Sequence, residues 1–163
     1  MAKPHFNRLI TALSLAVMWA VLLTGCGPQH GIEGELAPGQ EPYLRFCASC
    51  HGNAGEGRPP AFPPLAGSEW MELPEEVLAL IVIYGLRGEI EVAGQTYRGY
   101  MPPMQHINDE QLAALIGFTV RAWGDREPDL APEDVAALRQ RFGRRSPLEG
   151  REGVEAIMAE LES

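Results

Sequence analysis

Cys47-Ala48-Ser49-Cys50-His51 places two thiols and an imidazole within one short turn of chain. In this C-x-x-C-H order the thiols can form thioethers with the two vinyl groups of a haem, and the adjacent histidine reaches the iron. Two rival chemistries use part of the same set. A thioredoxin-type dithiol opens a helix after a strand in a βαβ context, whereas here a helical pattern precedes the cysteines and a Gly/Pro-rich stretch follows. A zinc site needs further ligands at comparable spacing, and the sequence holds no second cysteine pair, Cys26 standing alone far upstream.

An iron held by His51 on one side takes a second ligand on the other, and a thioether there favours the ferrous state and raises the reduction potential. The stretch Met101-Pro102-Pro103-Met104-Gln105-His106 offers two methionines and a histidine, with two prolines to stiffen the backbone between them. His106 would give a lower-potential bis-histidine site, but a lone histidine beside a helix start more often caps or faces solvent. Trp70, Tyr97 and Arg87 are candidates to line the haem edge or bond its propionates, because Trp and Tyr bury rings with a polar handle and arginine suits carboxylates. The plainer alternative, core aromatics and a solvated arginine, carries equal weight.

The elements that must position these groups begin after an N-terminal export signal. Lys3 and Arg8 precede an apolar run from Leu9 to Leu23 that is short for a spanning helix. Leu23-Thr24-Gly25-Cys26 resembles the lipobox of bacterial lipoproteins, where the chain is cut before the cysteine and the cysteine is lipidated. The expected organisation is a signal peptide at 1–25, a lipidated tether at 26–38 containing the solvated His30, a folded domain at 39–125 and a helical extension at 126–163. His5 leaves with the signal. Removing Lys3 and Arg8 leaves eleven basic against twenty-two acidic residues. That balance argues against nucleic acid as a partner and suits steering towards a basic patch on another protein. Two acyl chains on Cys26 would tether the domain stably to a membrane.

Within the domain, Tyr43, Leu44 and Phe46 suggest a short helix from Gly39 to Cys47, with Pro42 near its first turn. The stretch His51 to Gly67 is too rich in glycine and proline for helix or central strand, so it reads as an ordered loop wrapped on a cofactor. Val77, Leu80, Ile81 and Tyr84 recur at helical spacing between Pro74, placed at the first helical position, and a stop at Gly85. Ile90 to Tyr97 alternates weakly around Ala93-Gly94 as a small hairpin or irregular loop with no functional part. Asn108 and Gln111 form a capping box before a helix whose face is Leu112, Leu115, Ile116, Thr119 and Trp123, with Gly117 admitting another helix close by. Beyond Gly124, one stripe (Val135, Leu138, Phe142) and another (Val154, Ile157, Met158, Leu161) read as appended helices outside the core, expected to pack back on the domain ahead of docking a partner. Arg139, Arg141, Arg144 and Arg145 read as a solvated basic face.

Gly39-x3-Tyr43-x3-Cys47, Pro63-x-Leu65, Met101-Pro102-Pro103 and the helix from Asn108 together resemble the class I cytochromes c over about Gly39 to Trp123. The runs Pro64-Leu65-Ala66-Gly67-Ser68-Glu69-Trp70 and Gly99-Tyr100-Met101-Pro102-Pro103 look most like the small domains that accompany quinoprotein dehydrogenases, nitrite reductases and haem-copper oxidases. The resemblance implies a mainly α cytochrome c fold of three to five helices around one covalent haem c. It also implies that the first and last helices of the domain cross, with Gly39 permitting close approach and Tyr43 packing near Leu115 and Phe118. By the family pattern Pro63 offers its carbonyl to His51 Nδ1, Leu65 packs on the haem face, and Met101, which precedes the Pro-Pro pair, is the sixth ligand ahead of Met104.

With both axial positions filled by protein, the expected chemistry is outer-sphere electron transfer, not enzymatic turnover. The expected partners are redox proteins, namely a dehydrogenase, reductase or terminal oxidase, met at a membrane surface in the periplasm or extracytoplasmic space. Two alternatives share the site: a permanent electron-transfer subunit of such a complex, and a peroxidase or gas-binding protein with a labile sixth ligand.

Overall fold

A computed structural model describes residues 35–163 of the chain; the signal, the lipobox with Cys26, and His30 lie outside them. The described chain is mainly helical. The part up to Trp123 contributes α1 (Gln40–Phe46), α2 (Ala48–His51), α3 (Glu75–Tyr84), strands β1 (Leu86–Val92) and β2 (Gln95–Met101), and α4 (Asp109–Trp123). The C-terminal segment adds α5 (Pro132–Phe142), the two-residue strand β3 (Leu148–Glu149) and α6 (Gly150–Leu161).

Helices α1 and α4 cross at Gly39, which stands at the N-cap of α1 with φ +82°. A Cβ there would lie 1.8 Å from the Ala114 carbonyl oxygen, so only glycine lets the two backbones meet. The contact is locked by an aromatic cluster. The fully buried Tyr43 ring lies 5.3 Å from Phe118 and 5.0 Å edge-on from Trp123, and its hydroxyl donates to the Gly52 carbonyl at 2.6 Å. Leu115 is equally buried in this neighbourhood. Gly117, expected to admit a helix, instead faces Pro128 in the loop after α4.

Helix α3 begins one residue later than its pattern suggests, with Pro74 as the N-cap, and stops at Gly85, which has φ +75°. It is buried on nearly every side, from Val77 through Tyr84. A helix apolar all round must be covered all round, and the C-terminal segment provides the second cover. Val135, Leu138, Phe142, Val154 and Ile157 are buried in the same core as α3 and α4; the stripes pack back on the domain, and they do so inside its core, where their pattern alone placed them outside it.

Polar latches hold this segment in place. The buried Glu75 carboxylate accepts from the Asp129 and Leu130 amides, and the Tyr84 hydroxyl donates to the Gly143 carbonyl at 2.9 Å. The arginines expected as a solvated face are largely engaged. Arg141 donates to the Glu160 and Leu161 carbonyls at the C-terminal end of α6, a favourable place for a cation. Arg145 forms a two-pronged pair with the Glu160 carboxylate at 2.6 and 2.8 Å.

Strands β1 and β2 form an antiparallel hairpin closed by Ala93 and Gly94, both at positive φ, as a tight two-residue turn requires. The pairing runs from Val92↔Gln95 to Leu86↔Met101. Strand β3 joins the other edge of β1 in parallel, with Leu86 opposite Leu148, giving the order β2-β1-β3.

Candidate functional site

The C-x-x-C-H residues sit where α1 passes into α2. Cys47 is the C-cap of α1, and the Cys50 and His51 amides both donate back to its carbonyl. One turn of backbone therefore presents both thiols and the imidazole to a cavity of about 340 Å³, within the range of cofactor sites.

The loop that follows is ordered by its own backbone. The Gly57 amide donates to the His51 carbonyl, and the Leu65 and Ala66 amides converge on the Gly55 carbonyl. This fold-back carries Pro63 to the histidine, whose Nδ1 lies 2.9 Å from the Pro63 carbonyl oxygen. A carbonyl only accepts, so Nδ1 carries the proton and the Nε2 lone pair is free. Burial pushes the His51 pKa below the usual histidine value, with the Pro63 hydrogen bond opposing it. The ring is thus held neutral, the state in which imidazole binds a metal. Burial, and then the neighbouring Cys50, push the Cys47 thiol up to about 12.

Cys47, Cys50, His51, Pro63, Leu65, Trp70, Tyr97 and Met101 all line this one cavity. Met104 lines it too, so the geometry gathers both methionines. Met101 ends β2 and is held there by the ladder to Leu86. Its backbone passes so near Gly85 that a Cβ on that glycine would lie 2.4 Å from the Met101 carbonyl oxygen. Met104 is placed by its amide, which donates to the Val82 carbonyl on α3. His106 is not among the lining residues; its ring packs edge-on against Phe46 at 5.7 Å.

The polar handles of Trp70 and Tyr97 are already partnered. The indole N–H donates to the Glu91 carbonyl and the phenol to Gln95 Oε1, each at 2.9 Å. Both side chains therefore act as buried rings that shape the wall. Arg87 does not line the cavity; it is half exposed and pairs with Glu149 on β3.

Sequence reasoning assigned the hairpin no functional part, and this is corrected. Leu86, Gly88, Ile90, Val92 and Gly99 join Tyr97 and Met101 in one wall of the cavity. The strands carry this wall on alternate positions of β1, a period-two signal that Gly88 interrupts. Leu78, Ile81 and Val82 of α3 and Leu115, Ile116 and Thr119 of α4 complete the enclosure.

The residues present fit a haem. The wall is almost wholly apolar, with one neutral imidazole bearing a free lone pair, two thiols on the same turn, and thioethers from a separate element. Among the described residues no three His, Cys, Asp or Glu side chains converge as a metal-holding group.

Comparison with known proteins agrees with this chemistry. The family model "Cytochrome c" matches residues 36–123. The chain is 35% identical to a cytochrome c-552 of Thermus thermophilus over 148 residues, covering 77% of this chain and 96% of that protein. It is also 29% identical over 105 residues to the cytochrome c subunit of a quinone alcohol dehydrogenase from Gluconacetobacter polyoxogenes, covering 63% of this chain and 22% of that protein. The chain belongs to the cytochrome c family. Its cofactor is covalently bound haem c, and its chemistry is haem-based electron transfer.

Proposed function

We propose that the protein is an electron carrier in which Cys47 and Cys50 hold the haem covalently, His51 Nε2 ligates the iron, and Met101 supplies the sixth ligand. The observation that carries this reading is the His51 Nδ1 to Pro63 carbonyl hydrogen bond inside an apolar cavity that also gathers both cysteines and Met101. Bound haem c supplies an iron that gains and loses one electron. The chain's own part is to fix the ring of His51, keep it neutral, exclude water with Leu65, Trp70 and the hairpin, and bring a thioether to the same cavity. Met101 is preferred to Met104 because it precedes the two prolines, the place the family resemblance implies for the ligand, and the ladder at the end of β2 holds its backbone there.

The test is the absorbance of the holoprotein, reduced and oxidised, alongside Met101→Ala. The parent is expected to show a low-spin haem with the weak far-red band of a methionine–ferric iron bond. Met101→Ala is expected to lose that band, lower the potential and admit added ligands. An unchanged Met101→Ala spectrum would move the role to Met104. A parent without the band would favour a peroxidase or gas-binding protein with a labile sixth position.

The redox partners on this reading are dehydrogenases, reductases or terminal oxidases. The likeness to a quinone alcohol dehydrogenase's cytochrome subunit supports the related reading of a subunit in such a complex. We further propose that Cys26 is lipidated and tethers the domain to a membrane on the extracytoplasmic side. Among the described residues no helix is long and apolar enough to cross a membrane. Cys26→Ser is expected to move the protein from the membrane fraction to the soluble fraction on ultracentrifugation; retention in the membrane pellet would defeat the lipid anchor.

A further inference from the structure

The segment from Met101 to Asn108 carries both candidate thioether ligands on chain with little regular structure of its own, since β2 ends at Met101 and α4 begins at Asp109. The C-terminal segment meets it from two directions. At one end, β3 pairs with β1, so Leu148 lies beside Leu86, and Leu86 lies beside Met101. At the other end, Arg139 of α5 reaches back to three acceptors. Its Nη2 donates to the Ile107 carbonyl at 2.6 Å, its Nη1 to the Gln105 carbonyl at 3.4 Å, and its Nε to Asp109 Oδ1 at 2.7 Å. The guanidinium side chain is 24% exposed, so its bonds are only partly shared with water. Ile107, whose carbonyl it holds, is itself buried, and the Ile107 amide donates to the Met104 carbonyl. The chain of contacts thus runs without a break from Arg139 to the backbone of Met104, three residues beyond the proposed ligand Met101 on the same segment.

We propose that Arg139 is a positioning residue for the iron's methionine ligand, and that the C-terminal segment clamps the ligand-bearing segment against α3 and β1. This rests on the methionine ligation proposed above. A planar fork that reaches two carbonyls and a carboxylate suits arginine and cannot be copied by the single ammonium of lysine. Without the clamp the 102–108 stretch keeps the Met104 amide bond to Val82 and the Asn108 cap, but loses the tie at 105–107. The ligand should then leave the iron more often, while the helical core around α3 stays closed.

The test uses the ferric holoprotein with imidazole as probe, at concentrations where opening of the methionine–iron bond limits binding. Arg139→Gln is expected to raise the limiting rate about tenfold, the effect of losing charge-assisted hydrogen bonds that hold the bonded state. It should also weaken the far-red band and lower the reduction potential. Arg139→Lys is expected to lie between parent and Arg139→Gln, and serves if the glutamine variant folds poorly. Arg145→Gln, which breaks the ion pair with Glu160 elsewhere in the same segment, should lower the melting temperature without changing the rate. Equal rates in parent and Arg139 variants would overturn the proposal. So would a rise in Arg145→Gln matching that in Arg139→Gln, because the effect would then be general loosening. A parent lacking the far-red band would defeat the methionine reading itself, and the role of Arg139 with it.

Discussion

Replacing both Cys47 and Cys50 with alanine is expected to leave no haem on the chain after denaturing electrophoresis, and to cost the protein most of its folded structure. The first effect follows from the proposed thioethers, since no other cysteine among the described residues lines the cavity. The second follows from what the cofactor fills. The cavity measures about 340 Å³; at roughly 24 cal/mol per Å³, leaving it empty and dry would cost up to about 8 kcal/mol. Net domain stability is about 5–15 kcal/mol, so collapse or flooding of the cavity is the expected response. The loop from His51 to Gly67 would be affected most, because its fold-back against Gly55 and His51 has the cavity on its inner side. Each single variant should retain one thioether and a weakened helical signal. Haem staining of the denatured double variant, with far-UV circular dichroism, measures both effects. Covalent haem at the parental yield would remove these cysteines from the site.

The parts of this site that could be read in the sequence are those whose signal is local. Cys47, Cys50 and His51 announce themselves because covalent haem attachment and ligation need them on one turn, and the junction of α1 and α2 is that turn. The α4 cap was legible for the same reason: the Asn108 side chain accepts from the Gln111 amide three residues on, at 2.8 Å. Pro63, Leu65 and Met101 carried no comparable local pattern. They were reached through family resemblance, and the cavity now gathers them with the cysteines.

What escaped sequence reasoning depends on partners distant in the chain. The hairpin seemed idle because its wall-forming positions are interrupted by Gly88 and Gly99, whose missing side chains leave only a weak apolar alternation to detect. The C-terminal helices were expected to pack back on the domain without joining its core, because an amphipathic stripe does not name the surface it covers. A clue lay in α3, where the run from Val77 to Tyr84 is apolar on all sides and so calls for cover on both. The arginines of α5 and its exit were read as solvated because their acceptors are mostly carbonyls of Gln105, Ile107, Glu160 and Leu161, and backbone acceptors leave no mark in a sequence.

Gly39→Ala is expected to be the most destabilising single methyl group that can be added to this domain at the helix crossing. The residue has φ +82°, which costs an L side chain about 1–2 kcal/mol. Its new Cβ would also stand 1.8 Å from the Ala114 carbonyl oxygen and 2.9 Å from Phe118 Cβ. The obstruction is helix backbone, which cannot turn aside as a side-chain tip can, so α1 must move off α4. Overpacking adds about 1–3 kcal/mol, for a total near 3 kcal/mol and a fall in melting temperature of roughly 10 °C. Displacing α1 would also disturb Tyr43 against Phe118 and Trp123, and with it the turn that carries Cys47. Gly67→Ala separates the two causes, since that glycine also has positive φ, at +72°, but nothing lies within 4 Å of a Cβ built there. Thermal unfolding of the two holoprotein variants should show a clearly smaller loss at Gly67. Equal losses would mean that backbone strain alone accounts for Gly39, and that α1 and α4 do not approach as closely as the crossing requires.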